Sequence, residues 1–260
     1  ISPYKTVNTM SLSEDRYATP GQELLTARIH ELLENAPAAR TTVLRERLKI
    51  ELPVLSDRLS RLYGCTENFS DWLNQVVVQA VELALARPDD LWALDIQRAA
   101  KPNWHLNGSL GYCAYTDKFA GNLSGVRERI PHLQELGVTY LHLLPFLKPG
   151  TPPNDGGFAV ASYDEVDPAL GNNQDLQQLT KALRAAGISL CSDFVLNHVS
   201  HEHKWAVQAR AGDTHYQSYF HWSQSAEEVA SHEKNLIQIF PNTAPGNFTY
   251  IPEVKAWAWT

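Results

Sequence analysis

Apolar positions recur along this chain first with a helical period and then with alternating or continuous runs. Leu25, Ile29, Leu32 and Leu33 fall at i, i+4, i+7 and i+8 behind Thr19-Pro20, a pair suited to an N-cap and first helical position, and so predict a helix. A second stripe, Leu44, Leu48, Leu52, Leu55, Leu59 and Leu62, keeps one face across Pro53, which should kink or restart the segment, and Gly64 should end it. Ser70 or Asp71 would cap a third helix through Val77, Val81 and Leu85, and Asp89-Asp90 would open a fourth through Leu91, Leu94 and Ile96.

After Lys101-Pro102-Asn103 the period changes. "GYCAY" at 111–115 alternates like a short strand, Leu123 to Leu136 reads as an amphipathic helix, and "VTYLHLLP" at 138–145 is continuously apolar. Strands apolar on both faces belong to buried parallel sheets. A helix from Asn173 to Ala186 behind Gly171-Asn172, and a third strand "ISLCSDFVLNH", complete a strand-helix-strand-helix-strand order. That order predicts a parallel α/β sheet or barrel. Past Val199 the alternation stops, and aromatic residues from Trp205 through Phe240 to Trp259 read as an insertion with its own small core. Three strands cannot close a barrel, so the expectation is that the sequence stops partway through a larger fold.

Composition narrows the classes. Hydrophobic residues make 43% of the 260, with 7 Trp, 10 Tyr and 8 Phe, too many for a disordered chain. A net charge of −7 without a basic cluster leaves nucleic acid without a footprint. The three cysteines, Cys65, Cys113 and Cys191, form no CxxC pair, which favours a reducing, cytoplasmic location over a disulfide framework or zinc ribbon. No apolar run approaches the roughly 20 residues of a membrane helix. Because the chain begins at Ile1 and its one methionine is Met10, the first nine residues read as vector-derived or as following an unseen start.

Two constellations carry candidate chemistry. Reactive groups of α/β sheets and barrels gather at the carboxyl ends of strands, where "DFVLNH" brings Asp193, Asn197 and His198. The following His201 and His203 invite a metal reading with His198, but no HExxH is present, so they read instead as solvated loop or sugar-binding histidines. The second constellation is "NDGGFAVASYDEVDPALG", expected in the loop after the second strand, in which two glycines let the chain fold tightly enough to present Asp155 and then Phe158 toward one point; an ordinary Asp-Gly turn is the alternative. Together they could form the floor, wall and donor of a pocket for a polyol ring. A retaining glycosidase also needs two carboxyl groups about 5 Å apart, and nothing assigns that work to Asp193 or Glu202.

"DFVLNH" resembles the first conserved region of the α-amylase superfamily. "GYCAYTDKFAGNLSGVRERIPHLQELGVTYLHLLPFLKP", "DGGFAVASYDEVDPALG" and "NHVSHEHKWAVQARAGD" are similar to the amylosucrases and the closely related sucrose hydrolases. The resemblance implies a partial (β/α)8 TIM barrel: an N-terminal extension (1–19), an all-helical domain (20–103), the first strands and helices of the barrel (104–198) and an insertion domain after the third strand (199–260). It implies cleavage of sucrose through a glucosyl-enzyme of retained configuration, with glucose passed to an α-glucan acceptor or to water, no cofactor and no metal, in a monomer or homodimer.

By the same resemblance Asp155 would bind the far hydroxyls of the glucosyl unit, Phe158 would stack on the sugar in place of the usual tyrosine, and His198 would bond the 6-hydroxyl. Asp193 and Asn197 would support the strand end. The nucleophile and acid/base are expected beyond Thr260, so no catalytic residue is expected within this stretch. Ile237 stands where an arginine, and Asn242 where an acid, is expected of polymerising members, which favours hydrolysis. The alternatives are a trehalose-forming isomerase or other α-glucosidase, and a catalytically inactive sugar-binding fragment.

Overall fold

A computed structural model describes residues 20–101, 108–238 and 245–260, with side chains from residue 27 onward. Residues 1–19, the side chain of Leu25, Pro102-Asn103, Phe240 and Asn242 lie outside the described residues. The chain divides into two compact units, Ile1–Pro102 and Asn103–Thr260.

The described part of the first unit is helical: α1 (Pro20–Glu34), α2 (Ala38–Tyr63), α3 (Phe69–Leu85) and α4 (Asp89–Ala99). Ile29, Leu33, Leu44, Leu73, Val77 and Val81 form its buried cluster, with Leu48, Leu52 and Leu59 packed against it. α2 continues through Pro53 as one helix of 26 residues, so the segment does not restart there. It outruns partners of 15 and 17 residues, and Leu55 and Leu62 of the stripe are left exposed. Gly64 keeps a helical φ of −63°, so no left-handed stop is used. The start of α3 also differs: Asn68, at φ 62°, is the N-cap, and Ser70 and Asp71 lie within the first turn. Asparagine tolerates that left-handed conformation better than most residues.

In the second unit β1 (Gly111–Ala114) is followed by α5 (Thr116–Ala120), α6 (Leu123–Glu128), α7 (Ile130–Glu135) and β2 (Tyr140–Leu143). Then come β3 (Leu147–Pro149), β4 (Val160–Val166), α8 (Asn173–Ala185) and β5 (Ser189–Ser192). The first sheet has the order β1-β2-β5 and is parallel throughout. Leu141 and Leu143 are fully buried in one cluster with Leu123, Val126, Leu133, Leu179 and Leu183, so helices cover that face. The expected helix over 123–136 is two helices meeting at Arg129, because Pro131 follows at once and supplies no N–H to continue the ladder. Asn172 caps α8 in a capping box with Asp175, matching the expected helix start.

Two expectations about strands are corrected. The stretch after β2 is not a plain loop: β3 and β4 pair antiparallel. β5 ends at Ser192, so "DFVLNH" lies past the strand and its side chains escape period-2 alternation.

The remaining elements are α9 (Lys204–Arg210), α10 (Thr214–Gln217), β6 (Trp222–Ser223), α11 (Ala226–Glu233), β7 (Phe248–Ile251) and β8 (Ala256–Trp259). Their strands form an antiparallel sheet of order β6-β8-β7, tied to α11 by Asn247, whose backbone N–H and side-chain amide both donate to the Glu233 carboxylate.

Candidate sugar-binding site

The register that pairs Ala114 with Leu143 and Leu143 with Ser192 brings the carboxyl ends of the three parallel strands to one edge. From that edge leave Tyr115, the chain that runs from Leu144 into the β3–β4 hairpin with its connecting loop 150–159, and the segment 193–203.

The loop is built by its own side chains. Asn154 Nδ2 donates to Gly150 O at 3.0 Å, Gly156 N–H donates to Asn154 Oδ1 at 3.1 Å, and Ala159 N–H donates to Asp155 Oδ1 at 2.9 Å. Gly156 and Gly157 have φ values of +84° and +93°, a region that favours glycine. A Cβ on Gly157 would also approach Pro145 to 3.2 Å. With one carboxylate oxygen of Asp155 spent inside the turn, the other lies 3.6 Å from His198 Nε2. The two side chains keep 31% and 47% of their surface exposed, so both can meet a ligand. Phe158, in the same loop, is half-buried.

The segment carrying His198 is pinned on both sides. Asp193 N–H donates to Leu143 O at 3.3 Å, and Ser200 N–H to Val160 O at 2.9 Å. Asp193 Oδ1 lies 3.7 Å from His142 Nε2, whose Nδ1 is 3.6 Å from the Cys113 thiol. The Tyr163 hydroxyl donates to Val195 O at 2.5 Å. Asn197, exposed, has its amide nitrogen 3.4 Å from His198 Nδ1. Glu202 accepts from Thr151 N–H at 2.9 Å and so staples this segment to the Asp155 loop. That bond, with Thr151's side chain and His201 adding to it, holds the Glu202 carboxyl below its usual value.

The three histidines have separate partners. His198 meets Asp155; His201 is exposed; His203, 1% exposed, caps α9 by accepting from Trp205 N–H through Nδ1. Burial, assisted by Lys204, lowers the His203 pKa against the opposing pull of Asp164. Among the described residues no three His, Cys, Asp or Glu side chains converge as metal ligands would. Asp193 and Glu202 face His142 and Thr151 respectively.

Sequence reasoning missed His142, Tyr163 and the Glu202 staple. For His142 a signal existed, since it is the one strongly polar residue inside the "YLHLL" run. Tyr163 and Glu202 become visible only when β4 and the 193–203 segment are brought side by side.

Residues 72–260 match the family model "Alpha amylase, catalytic domain". Among curated proteins the chain is 30% identical over 139 residues to a trehalose synthase of Thermus thermophilus, covering 54% of this chain and 14% of that protein. It is 29% identical over 165 residues to the trehalose-6-phosphate hydrolase of Escherichia coli, covering 61% of this chain and 27% of the relative. Among solved structures, one of MutB in complex with the substrate sucrose is similar at a TM-score of 0.52 and 25% identity, over 61% of this chain and 28% of that chain. The trehalose-6-phosphate hydrolase of Bacillus licheniformis is similar in fold, with a TM-score of 0.51 at 22% identity over 58% of this chain and 28% of the other. This chain therefore spans about a seventh to a quarter of the length of these curated relatives.

Proposed function

Because this chain belongs to the alpha-amylase catalytic-domain family, and its solved neighbours include a trehalose-6-phosphate hydrolase and MutB with its substrate sucrose, we propose that the protein carrying it cleaves an α-glucoside with retention of configuration. The observation that carries the reading is the meeting of Asp155 and His198, remote in sequence, at 3.6 Å on the carboxyl edge of the parallel strands. A carboxylate that accepts from sugar hydroxyls beside an imidazole that can donate or accept is a fitting floor for a glucosyl ring. Phe158 would stack on the ring, while Asp193 and Asn197 would support the segment from which His198 projects. No step is assigned to a catalytic carboxylate within these residues; the nucleophile and acid/base would come from elsewhere in the protein.

For the substrate we propose sucrose, in an amylosucrase or sucrose hydrolase type of reaction: fructose leaves, and the glucosyl unit passes to an α-glucan acceptor or to water. The motif resemblance supports it, as does the MutB structure with sucrose. On the same reading residues 20–103 form a helical domain, 104–198 the first part of the barrel and 199–260 an insertion domain. Incubating the complete protein with sucrose should release fructose, and no release would refute the substrate. Free glucose against glucan in the same reaction separates hydrolase from transferase, since both share the glucosyl-enzyme. The similarity to trehalose synthases favours one second reading, conversion of another α-glucoside such as trehalose or maltose, which competition assays with those sugars would reveal.

A further inference from the structure

The segment that carries His198 leaves β5 at Ser192 with no ladder to hold it. Between the anchored amides of Asp193 and Ser200, the backbone groups of residues 194–199 take one hydrogen bond among the described residues, from the Tyr163 hydroxyl to Val195 O. Tyr163 belongs to β4, in the hairpin whose connecting loop carries Asp155, so it physically joins the two halves of the candidate pocket.

The position of that hydroxyl is set by the rings around it. Tyr163 packs against Phe194 at a centroid distance of 5.1 Å, edge-on to His203 at 5.4 Å and against Trp205 at 5.7 Å. His203 is in turn fixed by capping α9. Burial raises the Tyr163 pKa, so the hydroxyl remains a donor. A donor held by a packed cluster loses little conformational freedom when it forms its bond, which is the general condition for positioning.

We infer that Tyr163 is a positioning residue for the pocket: its hydroxyl holds the Val195 carbonyl and thereby fixes where His198 stands opposite Asp155. The inference rests on the reading of His198 as a sugar-binding residue. A purely structural tyrosine in an aromatic cluster would contribute through its ring, and its loss would lower stability without a specific effect on turnover.

The test uses the complete protein, with sucrose and p-nitrophenyl α-glucoside as substrates and, as a substrate-free readout, hydrogen–deuterium exchange of a peptide spanning 191–201, which holds the bonded Asp193 and Ser200 amides at the two ends of the segment. Tyr163→Phe removes the oxygen and keeps the ring. It should speed exchange in that peptide and lower kcat by about fivefold or more, with a smaller change in KM and melting temperature, as slight misplacement of a binding group does. In a His198→Ala background Tyr163→Phe should have little further effect on kcat. Tyr163→Leu, which removes the ring, should instead lower the melting temperature clearly, separating packing from positioning. Unchanged exchange in Tyr163→Phe would overturn the inference, as would an unchanged kcat or a kcat loss that adds in full to that of His198→Ala. A silent His198→Ala on both substrates would fail the pocket reading, and with it the effect on turnover, while the exchange arm still decides whether Tyr163 holds the segment.

Discussion

At the scale of single residues, the candidate pocket depends on side chains that each do two things. Asp155 closes its own turn through Ala159 N–H and presents its second oxygen to His198. Removing His198 should therefore cost binding without unfolding: His198→Ala in the complete protein is expected to lower kcat/KM by about tenfold, the equivalent of one good hydrogen bond, with an unchanged melting temperature. His203 has the opposite character, buried and structural. Its pKa in the folded state lies below 6.5, so the unfolded chain binds the proton more readily and the stability contributed by neutral His203 is present above pH 6.5 and lost as pH falls below it. Thermal midpoints should drop between pH 7.5 and 5.5, and His203→Gln, which can still accept from Trp205 N–H, should flatten that part of the profile. The Glu202 staple is lost in a lower window, from its usual 4.5 downward. Asp155 and His198 could be picked out of the sequence because their motifs are local. Tyr163 could not, since its partner Val195 comes from a different element.

Among the elements, the helices of the first unit were legible from spacing, and so were most of the expected ends: Pro20 opens α1, Gly64 follows α2 and Asp89 opens α4, while the start of α3 lies at Asn68 rather than at Ser70 or Asp71. The i, i+4, i+7 pattern places Ile29, Leu33, Val77 and Val81 in the core where they are found. What joins α2, α3 and α4 is a side chain that periodicity ignores. Arg40, 13% exposed, donates to Leu85 O at 2.6 Å and Arg87 O at 2.7 Å at the end of α3, pairs with Asp89 at the start of α4 and lies 5.1 Å from the Trp92 ring. Arg40→Ala leaves two carbonyls without their donor and should destabilise this unit by about 1–3 kcal/mol, measurable by denaturant unfolding; a change within error would remove Arg40 from this role. The strands were read too long. An apolar run shows what can be buried, whereas the strand stops where its neighbour does, at Leu143 and Ser192.

At the scale of the molecule, two units each hold a separate buried cluster, one built from α1 to α3 and one from the parallel strands and their covering helices. Since every described member of the first cluster belongs to the first unit, residues 20–101 expressed alone should show a helical far-ultraviolet spectrum and a cooperative melt; a featureless melt would mean that the unit depends on the rest of the protein. The change from helical to strand-and-helix architecture and the two motifs are written in the order of residues alone, because burial imposes a period on every element and tight turns require particular residues. It took the folded chain to show that β3 and β4 form a hairpin, that β5 stops before "DFVLNH", that Tyr163 of β4 bonds Val195 in that segment and that Glu202 accepts from Thr151 in the Asp155 loop. Those contacts join residues far apart in the chain, and no local periodicity records a partner that arrives from another element.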